Sequence, residues 1–348
     1  LVSHDRHLLR VCCDELLLRE RQPQLDTALH RAARRLELYH RQSYDRQYTR
    51  NFLRRPEQVD AIQGLLAAAA DDDDKWALHF IGAGGVGKTM LMRYLSLGMP
   101  DEESGERTLD ASIARVDFDY LNPDFPRQRP GLLLWAFADE LRLFDRSGEA
   151  TRDFNRVTRR LVDLHQEFVI SPPSTELVTD DPRFLEVLEL YAGALLRLPQ
   201  PILLLVDTCE ELAKARPDGG GVQNVRETFN ILERLHARVP SLKVILAGRR
   251  PLAGAGEEWT CAACGMSERP YLRLHEIRGF THDDARRYLG RLEVPLALQS
   301  AVIDAASPDA GSVIQIAYTD PGAAPAGVPR CNPYDLSLYA AWANADLP

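Results

Sequence analysis

Eight residues, Gly82-Ala-Gly-Gly-Val-Gly-Lys-Thr89, have the types and spacing of a phosphate cradle, Gly-x-x-x-x-Gly-Lys-Thr. Gly82, Gly84, Gly85 and Gly87 let the backbone fold into a concave nest without Cβ clashes. Its N–H groups, with Ala83 and Val86 contributing theirs, then join the unpaired donors at a helix start and face an anion. Lys88 would set a positive charge between two phosphates, Thr89 would offer its hydroxyl to Mg²⁺, and Met90 carries the cradle into the helix.

A second acidic signal closes the run Pro201-Ile-Leu-Leu-Leu-Val-Asp207. A carboxylate at that point can hold Mg²⁺ opposite Thr89, directly or through water. The residue that follows would ordinarily be a Glu able to polarise water, but position 208 is Thr. Glu210 is therefore the candidate base, with Glu211 beside it; the competing explanation is two acids that only stabilise a helix start. Arg249, at the end of Leu242-Lys-Val-Ile-Leu-Ala-Gly, is placed to report a terminal phosphate, with Arg250 as the fallback. Asp117 and Asp119 end Ile113-Ala-Arg-Val-Asp-Phe-Asp119 near the same rim, where Asp119 could orient water or simply cap the turn.

These residues need a scaffold that brings strand ends together. Trp76–Ile81, Ile113–Asp119, Ile202–Asp207, Leu242–Ala247 and Tyr271–His275 read as buried strands, and the all-apolar run before Asp207 suits a central parallel strand covered on both faces. Helical patterns at about 131–144, 154–168 and 184–197, then at 224–238 after the Gly219-Gly-Gly loop, separate them. Alternation of this kind predicts a doubly wound α/β domain over 51–277 with its ligand at the carboxyl ends of the strands. From Thr281 the period turns helical, with Thr281 a cap and Asp284 at the box position. Helices at about 296–306 and 312–318 complete a unit over 278–320; Pro- and Gly-rich 321–329 is linker-like, and Tyr334–Ala343 is a closing helix. Residues 1–50 carry two helical patterns, the second rich in arginine, read as a solvated or intramolecular face with a nucleic-acid or partner surface as the other option.

At 348 residues, 45% hydrophobic and 27% charged, the chain is long enough for two or three units of ordinary globular composition. A net charge of −9 argues against a surface that is a nucleic-acid footprint throughout. No apolar run approaches the ~20 residues of a membrane span, and the expected home is a reducing cytoplasm without membrane partners. The six cysteines lack the spacing of a secreted disulfide framework. Cys261-Ala-Ala-Cys264 is half of a zinc knuckle without a second pair, so free thiols are the simpler reading. Asp71–Asp74 reads as a solvated turn.

Taken in order, Phe52-Leu-Arg-Arg-Pro-Glu57, Gly82–Thr89, Leu203-Leu-Leu-Val-Asp-Thr208, Val244-Ile-Leu-Ala-Gly-Arg249 and Leu274–Ala285 resemble the STAND class of P-loop NTPases. These are relatives of AAA+ proteins that include the NB-ARC and NACHT groups, and the likeness is to bacterial ATP-binding regulators. It spans roughly residues 50–320. The resemblance implies an AAA+/STAND-like parallel core with N-terminal helices and a C-terminal helical lid. Phe52 and Arg55 would line the adenine side, Lys88 the phosphates, Thr89 and Asp207 the Mg²⁺, and Arg249 would act as sensor. It implies an ATP/ADP-binding switch with slow Mg²⁺-dependent hydrolysis, nucleotide-dependent homo-oligomers and a regulatory protein partner. Two departures stand out: Gly311-Ser-Val313 lacks the proline the family carries in its lid, and the family's winged-helix and repeat units are not seen. The competing readings are an AAA+-type ring ATPase or loader that uses basic 31–55 on nucleic acid, and a nucleotide-binding scaffold without turnover.

Overall fold

The computed structural model describes residues 36, 39–67, 75–101, 104–119, 121, 131–145, 147–213, 220–252, 269–307 and 330–345. The chain forms two compact units, 1–50 and 51–348. In the first, 39–49 is helical, and the Thr49 hydroxyl donates back to the Asp45 carbonyl at 2.7 Å. The expected helix at 5–20, most of 24–48, the turn at Asp71–Asp74, Cys261 and Cys264, Gly311–Val313, the 312–318 helix and the 321–329 linker lie outside the described residues.

The second unit is an α/β fold with a parallel core. Its strands are β1 (Ala77–Ile81), β2 (Ser112–Asp117), β3 (Ile202–Asp207), β4 (Leu242–Gly248) and β5 (Leu272–Glu276), in the order β2-β3-β4-β1-β5. Every neighbouring pair is parallel. β3 is buried along its whole length, and its side chains alternate between two apolar layers as a pleated strand requires. Ile202, Leu204 and Val206 face Phe137, Phe154, Phe184, Tyr191 and Leu232. These come from α3 (Leu132–Leu141), α4 (Glu149–Ile170), α5 (Pro182–Leu195) and α6 (Gly220–Arg238). Leu203 and Leu205 face the other layer, with Ile62 and Leu65 of α1 (Pro56–Ala67) and Leu91 and Leu95 of α2 (Lys88–Ser96). Pro56 opens α1, and Asp181 caps α5 by accepting the Arg183 N–H at 2.9 Å ahead of Pro182.

Several boundaries differ from the sequence expectation, among them the start of α4 at Glu149 rather than 154 and the two that follow. β2 stops at Asp117, where the chain enters a turn over Phe118 and Asp119, Phe118 giving a last N–H to the Asp207 carbonyl at 3.2 Å. α6 begins at Gly220, inside the expected glycine loop: glycine disfavours a helix interior by only about 1 kcal/mol, and the apolar face that follows outweighs it.

A third apolar cluster is built mainly from helices. α7 (His282–Arg291), α8 (Leu296–Ala306) and α9 (Pro333–Ala345) bury Ala285, Leu289, Val302, Ile303, Leu336 and Ala340 together with Leu53 and Phe280. The terminal helix thus packs within the same bundle as α7 and α8. Thr281 starts α7 with the expected capping box: its hydroxyl accepts the Asp284 N–H at 3.1 Å, and Asp284 accepts the Thr281 N–H at 3.4 Å. Among the described residues, no helix is long and apolar enough to cross a membrane.

Candidate functional site

The loop between β1 and α2 is shaped by what touches it. Gly85 (φ 80°) and Gly87 (φ 99°) both sit in the left-handed region that favours glycine, and Gly87 accepts the Leu91 N–H at 2.9 Å as α2 begins. At Gly82 a side chain would collide with the Ile277 carbonyl, since Ile277 donates its N–H to Ile81 at 2.6 Å where the chain leaves β5. Val86 anchors the loop by burying its side chain, while Ala83 and Gly84 are exposed.

From the approach segment Arg55 holds the loop and Phe52 packs on the helix that follows it. Phe52 lies on Tyr94 of α2, ring centroids 4.9 Å apart, and its carbonyl accepts a bond from Arg291 of α7. Arg55 Nη2 donates to the Val86 carbonyl at 2.6 Å and Nη1 to the Arg278 carbonyl, with the guanidinium 4.7 Å from the Phe280 ring centroid. Burial lowers its pKa to about 10, so it remains charged at neutral pH. Arg55 therefore braces loop and helical bundle together, a role its position four residues after Asn51 does not announce.

Lys88 Nζ donates to the loop's own Gly82 and Ala83 carbonyls, each at 2.8 Å. Burial lowers the pKa of this ammonium, and Glu210 opposes that shift. Thr89, in the first turn of α2, reaches Asp207 at the end of β3: Oγ1 to Oδ1 is 3.4 Å. Met90 follows, half-buried on the helix.

Asp207 is 1% exposed. Its pKa rises to about 7, first because burial penalises its charge and second because Asp117 stands in register beside it on β2. Thr208 serves both acids, giving its N–H to Asp207 Oδ1 at 3.0 Å and its hydroxyl to Asp117 Oδ1 at 2.9 Å. Asp117 also takes the Asp119 N–H at 3.0 Å, and Asp119 itself sits exposed in the turn. Asp207 Oδ2, by contrast, is buried with no hydrogen-bond partner among the described residues. An orphaned carboxylate oxygen beside a hydroxyl suits Mg²⁺, which takes one or two protein ligands and keeps the rest for water and phosphate. No group of three or more His, Cys, Asp or Glu able to hold a metal occurs among the described residues.

Glu210 and Arg249 form one unit. Arg249 Nε lies 3.3 Å from Glu210 Oε1, and the Arg249 backbone N–H donates to Glu210 Oε2 at 3.2 Å. The guanidinium carbon lies 3.7 Å from where a Gly84 Cβ would be, so this ion pair stands over the loop. The sheet order explains it: β4 runs between β1 and β3, so its carboxyl end must emerge between loop and acid. Glu211 sits in the short 3₁₀ turn after β3, and Arg250 is exposed.

Three residues here carried no signal in the sequence reading. His79 on β1 and Cys209 after β3 are fully buried beneath the site, with Nε2 and Sγ 3.3 Å apart, and burial drives the His79 pKa down to about 3. Asn332 donates its side-chain amide to the Gly84 carbonyl at 3.1 Å. The Asn332-Pro333 pair is a legible helix start, but nothing in it says which surface the helix start would touch.

No family model matches the chain, and no curated protein matches it in sequence. Among solved structures it is similar to a Walker-type ATPase of Pyrococcus abyssi, at 16% identity over 73% of this chain and 63% of that one, TM-score 0.41. It is also similar to a chain in the structure of Drosophila ORC bound to DNA, at 17% identity over 83% of this chain and 55% of that one, TM-score 0.37. The chain thus spans less than two thirds of the length of either.

Proposed function

We propose that the protein is an ATP/ADP-binding switch of the STAND type that hydrolyses ATP slowly with Mg²⁺. The observation that carries this reading is the phosphate loop facing a buried carboxylate with one unpartnered oxygen. The loop's N–H groups and Lys88 would bind the phosphates, with Lys88 exchanging its loop carbonyls for phosphate oxygens. Thr89 and Asp207 would hold the Mg²⁺, which would neutralise phosphate charge. Arg249 would sense the terminal phosphate and Glu210 would act as base. Their ion pair supports slow turnover, because Glu210 must release the Arg249 guanidinium before it can accept a proton. Residues 51–277 would serve as the nucleotide-binding domain and 278–320 as the lid. Residues 321–348 would be a linker and closing helix, the helix packing its apolar side against the lid helices. Nucleotide-dependent self-assembly and a regulatory protein partner belong to the same proposal.

Direct titration tests it. Mg²⁺-dependent saturable binding of ATP and ADP is expected, weakened about 10- to 100-fold in Lys88→Ala, the worth of a charge-assisted bond to phosphate. Turnover should fall below the about 1–100 s⁻¹ of kinases. Unchanged binding in Lys88→Ala would overturn the site, and brisk DNA-stimulated hydrolysis would transfer the protein to the ring or loader class.

A further inference from the structure

The geometry points to Asn332 as a positioning residue: the strap Arg330–Tyr334 is a latch that clamps the phosphate loop from outside and ties its conformation to the seating of α9. The inference rests on the nucleotide reading for its purpose, not for its contacts. The strap is fixed at its base, where Phe280 and Cys331 exchange both backbone hydrogen bonds at 2.8 Å. Arg330 adds a bond to the Gly279 carbonyl at 3.2 Å, and Cys331 is fully buried in the helical bundle. From that anchor Asn332 reaches the loop. Its Nδ2 donates to the Gly84 carbonyl, while its Oδ1 accepts the Tyr334 N–H at 2.9 Å and so caps α9.

The fit is close. A Cβ on Gly85 would lie 2.5 Å from Asn332 Oδ1 and 3.0 Å from the Tyr334 Cβ, so Gly85 answers to the strap as well as to its own positive φ. The bond goes to a loop carbonyl. Loop N–H groups are what a phosphate uses, so the latch and an anion do not compete for donors. One side chain therefore starts a helix and holds the loop at once. Any ligand that favours the latched loop must favour a seated α9 by the same factor.

Hydrogen–deuterium exchange of the full chain separates the two duties. Asn332→Asp keeps an acceptor for the Tyr334 N–H and loses the donor to Gly84; Asn332→Ala loses both. One hydrogen bond is worth about a 2- to 13-fold change in the opening equilibrium. Faster exchange by that factor over 82–87 is expected in both variants, with 333–345 still protected in Asn332→Asp. ADP dissociation should quicken in parallel, and ADP should raise the protection of 333–345 in the wild type. Wild-type exchange over 82–87 in Asn332→Asp would overturn the latch. Failure of the wild type to bind ADP would instead overturn the nucleotide reading, since loop exchange decides the latch with or without nucleotide.

Discussion

Two of the buried carboxylates among the described residues, Glu227 and Asp207, are treated in opposite ways. Glu227 of α6 is fully buried and takes the Val178 N–H at 2.6 Å, the Thr179 N–H at 3.1 Å and the Thr179 hydroxyl. Three donors converge on two oxygens and tie α6 to the 178–180 turn. Asp207 is buried as deeply, yet one oxygen has no hydrogen-bond partner among the described residues and a second acid stands beside it. Burial raises the pKa of both. At Glu227 both oxygens are hydrogen-bonded, so that acid reads as structural. The acid left open at the mouth of the sheet, next to the Gly82–Thr89 loop, is the candidate ligand-binding group.

That contrast can be broken by experiment. The largest effect concerns pH. The Asp207 pKa stands near 7 in the folded protein against its ordinary 3.8, so folding favours the neutral acid. Its contribution is fully present below pH 3.8 and is lost as pH rises through 7, by up to about 4 kcal/mol. Urea unfolding across that window without magnesium should show the decline, and Asp207→Asn should flatten it. An unchanged slope in the variant would remove the claim that Asp207 is strained.

Next in size is Glu227→Ala, which leaves three buried donors unpaired. A loss of about 3 kcal/mol is expected at pH 7 from the denaturation midpoint, with no effect on nucleotide binding. A neutral result would mean that the two acids are not different after all. The smallest effect sharpens the comparison locally. Thr208→Val removes the hydroxyl from Asp117 and should cost about 1 kcal/mol, while pushing the titration seen for Asp207 still higher.

Much of this was legible in the chain. Gly-x-x-x-x-Gly-Lys-Thr and five short apolar runs punctuated by helices announced a parallel sheet, because period and turn chemistry are local. The Thr281–Asp284 capping box was equally local, and it formed as read. Phe52 and Arg55 were harder. Their expected role was beside a base; their observed contacts are with Tyr94, Val86, Arg278 and Phe280, which lie 31 to 225 positions away and meet only when the helical bundle closes on the core. The Glu210–Arg249 pair likewise needed β4 to enter between β1 and β3, and strand order leaves no mark on a strand's own composition.

By itself the sequence determined the phosphate loop, the acid that closes β3 and the alternation of strands and helices, since each is a matter of residues within a few positions of one another. Tertiary structure alone decided that Asp207 would be stripped of water beside Asp117, that Arg249 would hold Glu210, and that Asn332 would come to rest on Gly84. Burial and long-range approach set those outcomes, and both belong to the packed chain as a whole.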